Sequence, residues 1–433
     1  MENKILEKAK VFYFMVVAVM MYYFLNEHLE LGLHITYRHA FALVLVASGV
    51  LCFLYKPNIA RGFTAFKDAC IFSIPLGVTT VVSLFVWFME TVDIGVISRG
   101  LSTSFIFANM LSAALAGGAM LYIFGGKGIW YNLVAILSAN ILIILTIIAQ
   151  YGLGSYFSEF ITLITTFADV TGDIIVQAEV HELAFCLGAY MIYMLYKPRK
   201  NITFFILFFL SLFCFLSAFK RIAIIAIVIA LAFGYLLKFI ARFNKKTAAN
   251  LVTVLTIIVI LLLIGYIALI KMGAFELLES AGINTSGRVE IYNAVDDFYE
   301  FNPGFLGNGI GFLTYQLNAF MNVGVASVHN DFLQHFIDLG FWGYIIWLVS
   351  ISLVRVLYFG RKGNVEGAII TFMLILYLII VSTTDNTMNY PLLSGVLAVL
   401  MMGNRFEENV REKELKMFGY ISEINKKESD SLL

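Results

Sequence analysis

Arg221, Arg288 and His329 lie far apart in the chain, yet they are residue types that can hold a phosphate and accept a proton near neutral pH. Arg221 follows Lys220 in a two-residue polar turn between the apolar runs ITFFILFFLSLFCFLSAF and IAIIAIVIALAFGYLL, so it opens the returning helix of a tight hairpin. A guanidinium stays charged and presents a planar fork of donors that fits phosphate oxygens in bidentate fashion. The competing reading is that both cations snorkel to lipid headgroups. Arg288 stands in NTSGRVEIYNAVDDFYEFNPGFLGNGIG. There Ser286 can cap a helix whose apolar stripe is Val289, Tyr292 and Val295. A cation in that first turn meets the unfavourable end of the helix dipole. An anionic ligand relieves this, but so does a carboxylate, and residues 271 to 340 set only Lys271 and Arg288 against eight acidic residues.

His329 precedes Asn330 and the run DFLQHFIDLGFWG, just ahead of a helix that Gly340 can stop. Histidine is the natural general base near neutral pH, and no carboxylate pair or serine motif competes with it, although a loop histidine is often structural. Gly304, Gly307, Gly309 and Gly311 permit positive φ and close approach of a ligand, so Gly309, Gly311 and Asn330 join the candidate substrate contacts, as plain connectors otherwise. His181 opens a span together with Glu182, where the pair reaches a headgroup or caps the helix; His335 faces away from His329 and reads as packing. Asp296 and Asp297 are adjacent and project in different directions, which argues against a metal site. Cys52, Cys70, Cys186 and Cys214 all sit in apolar runs, without the spacing of a disulfide framework or a zinc site.

The elements that must position these residues are membrane helices. Hydrophobic residues make up 61% of the chain and charged residues 13%, about half the usual share for a soluble domain, which excludes a water-soluble fold. With about 20 apolar residues per crossing, the sequence predicts an all-α polytopic bundle of about twelve spans. They fall near 9–26, 39–55, 69–89, 101–124, 129–150, 181–196, 202–219, 222–240, 250–270, 341–359, 367–384 and 389–403. The apolar start reads as the first span rather than a cleaved signal peptide. With both termini cytoplasmic, only Arg38, Arg99, Lys220, Arg221, Lys271 and Arg288 of the 29 basic residues face outward, as the positive-inside rule requires. The chain then divides into spans one to nine over 1–270, an extracytoplasmic segment over 271–340 holding short helices and the chemistry, spans ten to twelve over 341–403, and a charged cytoplasmic tail over 404–433 that reads as a frayed helix. Residues 151–180 form a second outer segment, with Phe157, Phe160, Ile161, Ile164 and Phe167 spaced as an amphipathic helix lying on the leaflet.

The order of these pieces resembles the O-antigen ligase and Wzy-type polysaccharide polymerase superfamily. A basic tight outer hairpin comes first, then a loop opening with Ser-Gly-Arg, a Gly-rich turn, and His-Asn before Asp-Leu-Gly and a further span. The resemblance covers about 211 to 345. It maps the arginine of the family's Ser-Arg turn onto Arg221, the loop arginine onto Arg288 and the catalytic histidine onto His329. Here the turn reads SAFKR, with Lys220 where the family often has serine, and His181 and Glu182 stand where it often shows an Asn-rich turn. The resemblance implies a GT-C-like, metal-independent membrane glycosyltransferase without a cofactor. It would work at the outer face of the bacterial cytoplasmic membrane on an oligosaccharide carried by polyprenyl pyrophosphate. Its partners would be that donor, membrane lipid, and a chain-length regulator and flippase of the same pathway, with no nucleic acid. A polymerase leads; a ligase handing polymer to lipid A core is the alternative within the enzyme class. A flippase is the alternative outside it, disfavoured by the absence of acidic residues from the expected hydrocarbon cores.

Overall fold

A computed structural model describes residues 37–55, 57–89, 94–166, 174, 181–218, 220–282, 287–319, 328–361 and 363–416. Among these every regular element is helical, with no strand. The expected first span at 9–26 lies outside the described residues. The helices are α1 (Tyr37–Tyr55), α2 (Ile59–Phe72), α3 (Ile74–Met89), α4 (Ile94–Phe124), α5 (Gly128–Tyr151), α6 (Leu153–Thr166), α7 (His181–Tyr196), α8 (Ile202–Ala218), α9 (Arg221–Phe243) and α10 (Lys245–Lys271). They continue with the short α11 (Ala274–Ser280), α12 (Arg288–Val295) and α13 (Phe312–Ala319). Last come α14 (Asp331–Phe359), α15 (Val365–Ser382), α16 (Pro391–Gly403) and a helix over 406–416.

Among the described residues, five helices are long and apolar enough to cross a membrane, or six if α2 and α3, bent by 48° at Ser73, count as one span. Four shorter apolar helices accompany them. Three boundaries differ from the sequence reading. The span expected at 69–89 begins at Ile59 and breaks at Ser73, because Pro75 removes an amide that a continuous helix would need. α4 begins at Ile94 rather than 101. The tail is not frayed over 406–416: Phe406 and Val410 are buried, Glu407 pairs with Arg61 at 2.9 Å, and Glu414 accepts from Asn58 at 3.0 Å. The described part of the segment 151–180 is helical as expected. α6 sets Phe160 against Phe213 of α8 with ring centres 5.6 Å apart and leaves Ile161 exposed.

One corner shapes the site end. In α14 the backbone turns at Gly340 (φ 69°, ψ −177°), so residues 331–339 fold back on those that follow. His335 stacks on Trp347 at 4.1 Å and Phe336 meets Tyr344 at 5.5 Å. The Gly-rich turn straps over this corner: Phe341 donates to the Phe305 carbonyl, and Gly309 to that of Asp338. Two backbones cross here with no room for a side chain, since a Cβ on Gly340 would stand 2.1 Å from the Leu306 carbonyl carbon. The stop expected at Gly340 is thus a corner inside a buried helix pair.

Candidate active site

His329 is the one non-glycine residue with positive φ (51°) among the described residues. Histidine is tolerated there better than most residues but still under strain of about 1–3 kcal/mol. Asn330 holds it in place. Its Oδ1 accepts from the Phe332 and Leu333 amides, at 3.1 and 3.2 Å, which caps α14. Its Nδ2 donates to the hydroxyls of Tyr266 and Tyr292, each at 2.9 Å. Both donor hydrogens and the acceptor of this fully buried side chain are therefore in use. Burial pushes the Tyr292 phenol above its ordinary pKa, so it remains an O–H donor and acceptor at any physiological pH.

Arg288 lies one turn before Tyr292 on α12, hence on the same face. Its Nη2 donates to the Thr384 carbonyl at 3.1 Å. Thr384 belongs to the loop 383–390 between α15 and α16, and the same loop meets Asp331: the Met388 amide donates to Asp331 Oδ2 at 2.9 Å. Asp331 is wholly buried and its Oδ1 has no hydrogen-bond partner. Within the loop, the Tyr390 hydroxyl donates to Asp385 Oδ1 at 3.1 Å. Burial first, then the charge of Asp385, drives the Tyr390 pKa up. The loop 383–390 therefore joins the helix of Arg288 to the turn of His329.

Arg221 stands at the same end. Short connections make α7, α8 and α9 alternate in direction, so α7 and α9 run the same way. Tyr235 of α9 donates to the Leu195 carbonyl at 2.7 Å. α15 runs opposite to α7: Lys197 pairs with Glu366 at 3.2 Å, while nearer the other end the Tyr377 hydroxyl donates to the Phe185 carbonyl at 2.9 Å. Continued at roughly 1.5 Å per residue, this register brings Arg221, the start of α7 and the loop after Ser382 to one level. Lys220 is the N-cap residue of the 23-residue α9 and Arg221 its first residue, exposed to the surroundings. Two cations and a helix N-terminus together form a strong locus for an anion.

The remaining sequence candidates fall as follows. Gly309 and Gly311 are buried, and their amides donate to Asp338, at its carbonyl and at Oδ2; a Cβ on Gly309 would stand 2.0 Å from the Trp87 indole nitrogen. These glycines close the strap around the Gly340 corner. Ser286 lies outside the described residues, and the N-cap of α12 is Gly287 with φ 73°. His181 is the first residue of α7; its side chain lies outside the described set. Its neighbour Glu182 is buried and accepts from the Leu392 amide at 2.6 Å, capping α16 beside the loop 383–390. His335 packs, as expected. Among the described residues no group of His, Cys, Asp and Glu could hold a metal ion. Sequence reasoning missed Tyr266, Asp331 and the loop with Asp385; the polar run TTDNTMNY between two apolar helices was the signal for the loop.

Residues 206–348 match the family model described as O-antigen ligase. Over that third, the chain is similar to the O-antigen ligase family. The matched stretch contains Lys220, Arg221, Arg288, His329 and Asn330, and it points to a membrane enzyme of the O-antigen ligase and polymerase type, with lipid-linked oligosaccharide as the implied substrate. The loop 383–390 and α7 lie outside the matched stretch. No curated protein matches the chain.

Proposed function

We propose that this protein is a polysaccharide polymerase. It transfers a polyprenyl-pyrophosphate-linked glycan to a sugar hydroxyl of a second lipid-linked repeat unit, at the outer face of the bacterial cytoplasmic membrane. Arg221, with Lys220 at the N-terminus of α9, receives the diphosphate. Arg288 meets the negative charge that develops as the bond from the anomeric carbon to the diphosphate oxygen breaks. The acceptor oxygen attacks that carbon, His329 takes the hydroxyl proton, and the electron pair of the broken bond leaves with the polyprenyl diphosphate. Arginine charge serves the leaving group in this scheme, so the reaction is metal-independent.

One observation carries the reading. A histidine is held in a strained backbone conformation by an asparagine with no spare hydrogen bonds, and the loop beside it is anchored by an arginine. Such strain persists where surrounding structure enforces it, characteristically at active sites. The test is purified protein in detergent supplied with polyprenyl-pyrophosphate-linked repeats. Wild type lengthens them, and His329→Ala does so about 100-fold more slowly or worse; near-normal lengthening by the variant would remove His329 from the mechanism.

The description of the matched family favours a second reading, a ligase that passes finished polymer to lipid A core or another acceptor. Disrupting the gene separates the two. Loss of a polymerase leaves single repeat units on their final carrier, and loss of a ligase leaves full-length polymer on the polyprenyl lipid.

A further inference from the structure

Where α2 breaks from α3, a partly open cavity with about 50 Å³ of inner space lies against α14 and α16. Its polar lining is Ser73, Thr79, His335, Arg355, Thr387 and Ser394, and among the described residues no carboxylate lines it. Arg355 is buried, directs Nε and Nη2 at the Phe72 carbonyl (3.1 and 2.5 Å), and sits 3.9 Å over the Phe72 ring. It makes no ion pair among the described residues. We propose that this cavity is a binding site for one small monovalent anion of halide size, held between the Arg355 guanidinium and the Ser73 hydroxyl.

Three physical points lead there. A guanidinium keeps its charge, and an ion held within the bundle without a counter-charge costs several kcal/mol. The carbonyl and the ring offset part of this. The α2 C-terminus adds little, because the N-terminus of α3 follows directly at Ser73 and the two helix-end charges oppose each other. Second, Ser73 Oγ is buried in the cavity wall and makes no hydrogen bond, leaving a donor beside the cation. Third, size selects the ligand. An engineered cavity of about 150 Å³ takes benzene, so an inner space one third as large fits a halide with a water better than a sugar or a diphosphate. Thr387 and Met388 of the loop 383–390 line this cavity, whereas Lys220 and Arg221 do not.

The experiment uses the full chain in detergent, exchanged into chloride, bromide or gluconate at equal ionic strength. Crystals in bromide should show an anomalous peak between Arg355 and Ser73. Thermal unfolding should move upward with the logarithm of chloride concentration and not with gluconate, as linkage requires. Ser73→Ala should raise the chloride midpoint about 10-fold, and Arg355→Met should abolish the halide dependence. If Arg355→Met does not fold, Ser73→Ala decides. Unfolding that is the same in all three salts with no bromide peak would overturn the proposal in favour of water filling the cavity. A Ser73→Ala midpoint equal to wild type would overturn it as well.

Discussion

Replacing His329 with glycine separates chemistry from architecture. At φ 51° the histidine occupies the left-handed region, where an L-residue is disfavoured by about 1–2 kcal/mol. Glycine removes that penalty but costs about 0.5–1 kcal/mol in unfolded-chain entropy. The balance predicts His329→Gly to be as stable as wild type or up to about 1.5 kcal/mol more so. His329→Ala keeps the strained backbone and should lie about 1 kcal/mol below the glycine variant. Both lose the general base and should turn over about 100-fold more slowly, roughly 2.7 kcal/mol in activation free energy. The assay pairs thermal unfolding in detergent with the rate of glycan lengthening from lipid-linked repeats. A glycine variant within a few-fold of the wild-type rate, or less stable than the alanine variant, would refute the reasoning.

Other substitutions probe the supports. Asn330→Ala removes the cap of α14 and two hydrogen bonds to tyrosine, so unfolding measurements should show a loss of about 2–3 kcal/mol and the rate should fall at least about 10-fold. Arg221→Lys keeps the charge but not the bidentate fork; lengthening should slow at least about 10-fold with unfolding unchanged, and a silent variant would mean that charge alone suffices there. Gly340→Ala places a Cβ 2.1 Å from the Leu306 carbonyl carbon at φ 69°, so size-exclusion profiles should show little folded protein. Gly77→Ala, with open space around it, should express normally.

Helix existence was legible because apolar runs bounded by polar turns survive any packing, as the hairpin at Lys220 and Arg221 shows. So was a helix starting just after His329, which the structure shows capped by Asn330. The breaks were not. The bend at Ser73 and the corner at Gly340 are set by what packs across them, the Phe72–Arg355 contact and the Leu306–Gly307 crossing. Apolar periodicity carries no trace of either. The glycine turn misled for the same reason: its residues approach another backbone and the Trp87 ring, where a ligand was expected. Asp331 and Asp385 are separated by most of two helices in the sequence, and only the return of the chain through α15 brings their loops together. Acidic residues spaced so far apart cannot announce a shared site. The tail was mistaken for a frayed end because its anchors, Arg61 and Asn58, lie more than 300 residues upstream.

The central claim is that Arg221 and Arg288 bind one diphosphate within reach of His329. An experimental structure with a non-hydrolysable polyprenyl pyrophosphate analogue tests this most directly. The account predicts diphosphate oxygens within about 3 Å of both guanidinium groups, with the anomeric end turned toward the His329 imidazole. A diphosphate bound away from either arginine, or an imidazole facing a different compartment, would contradict it.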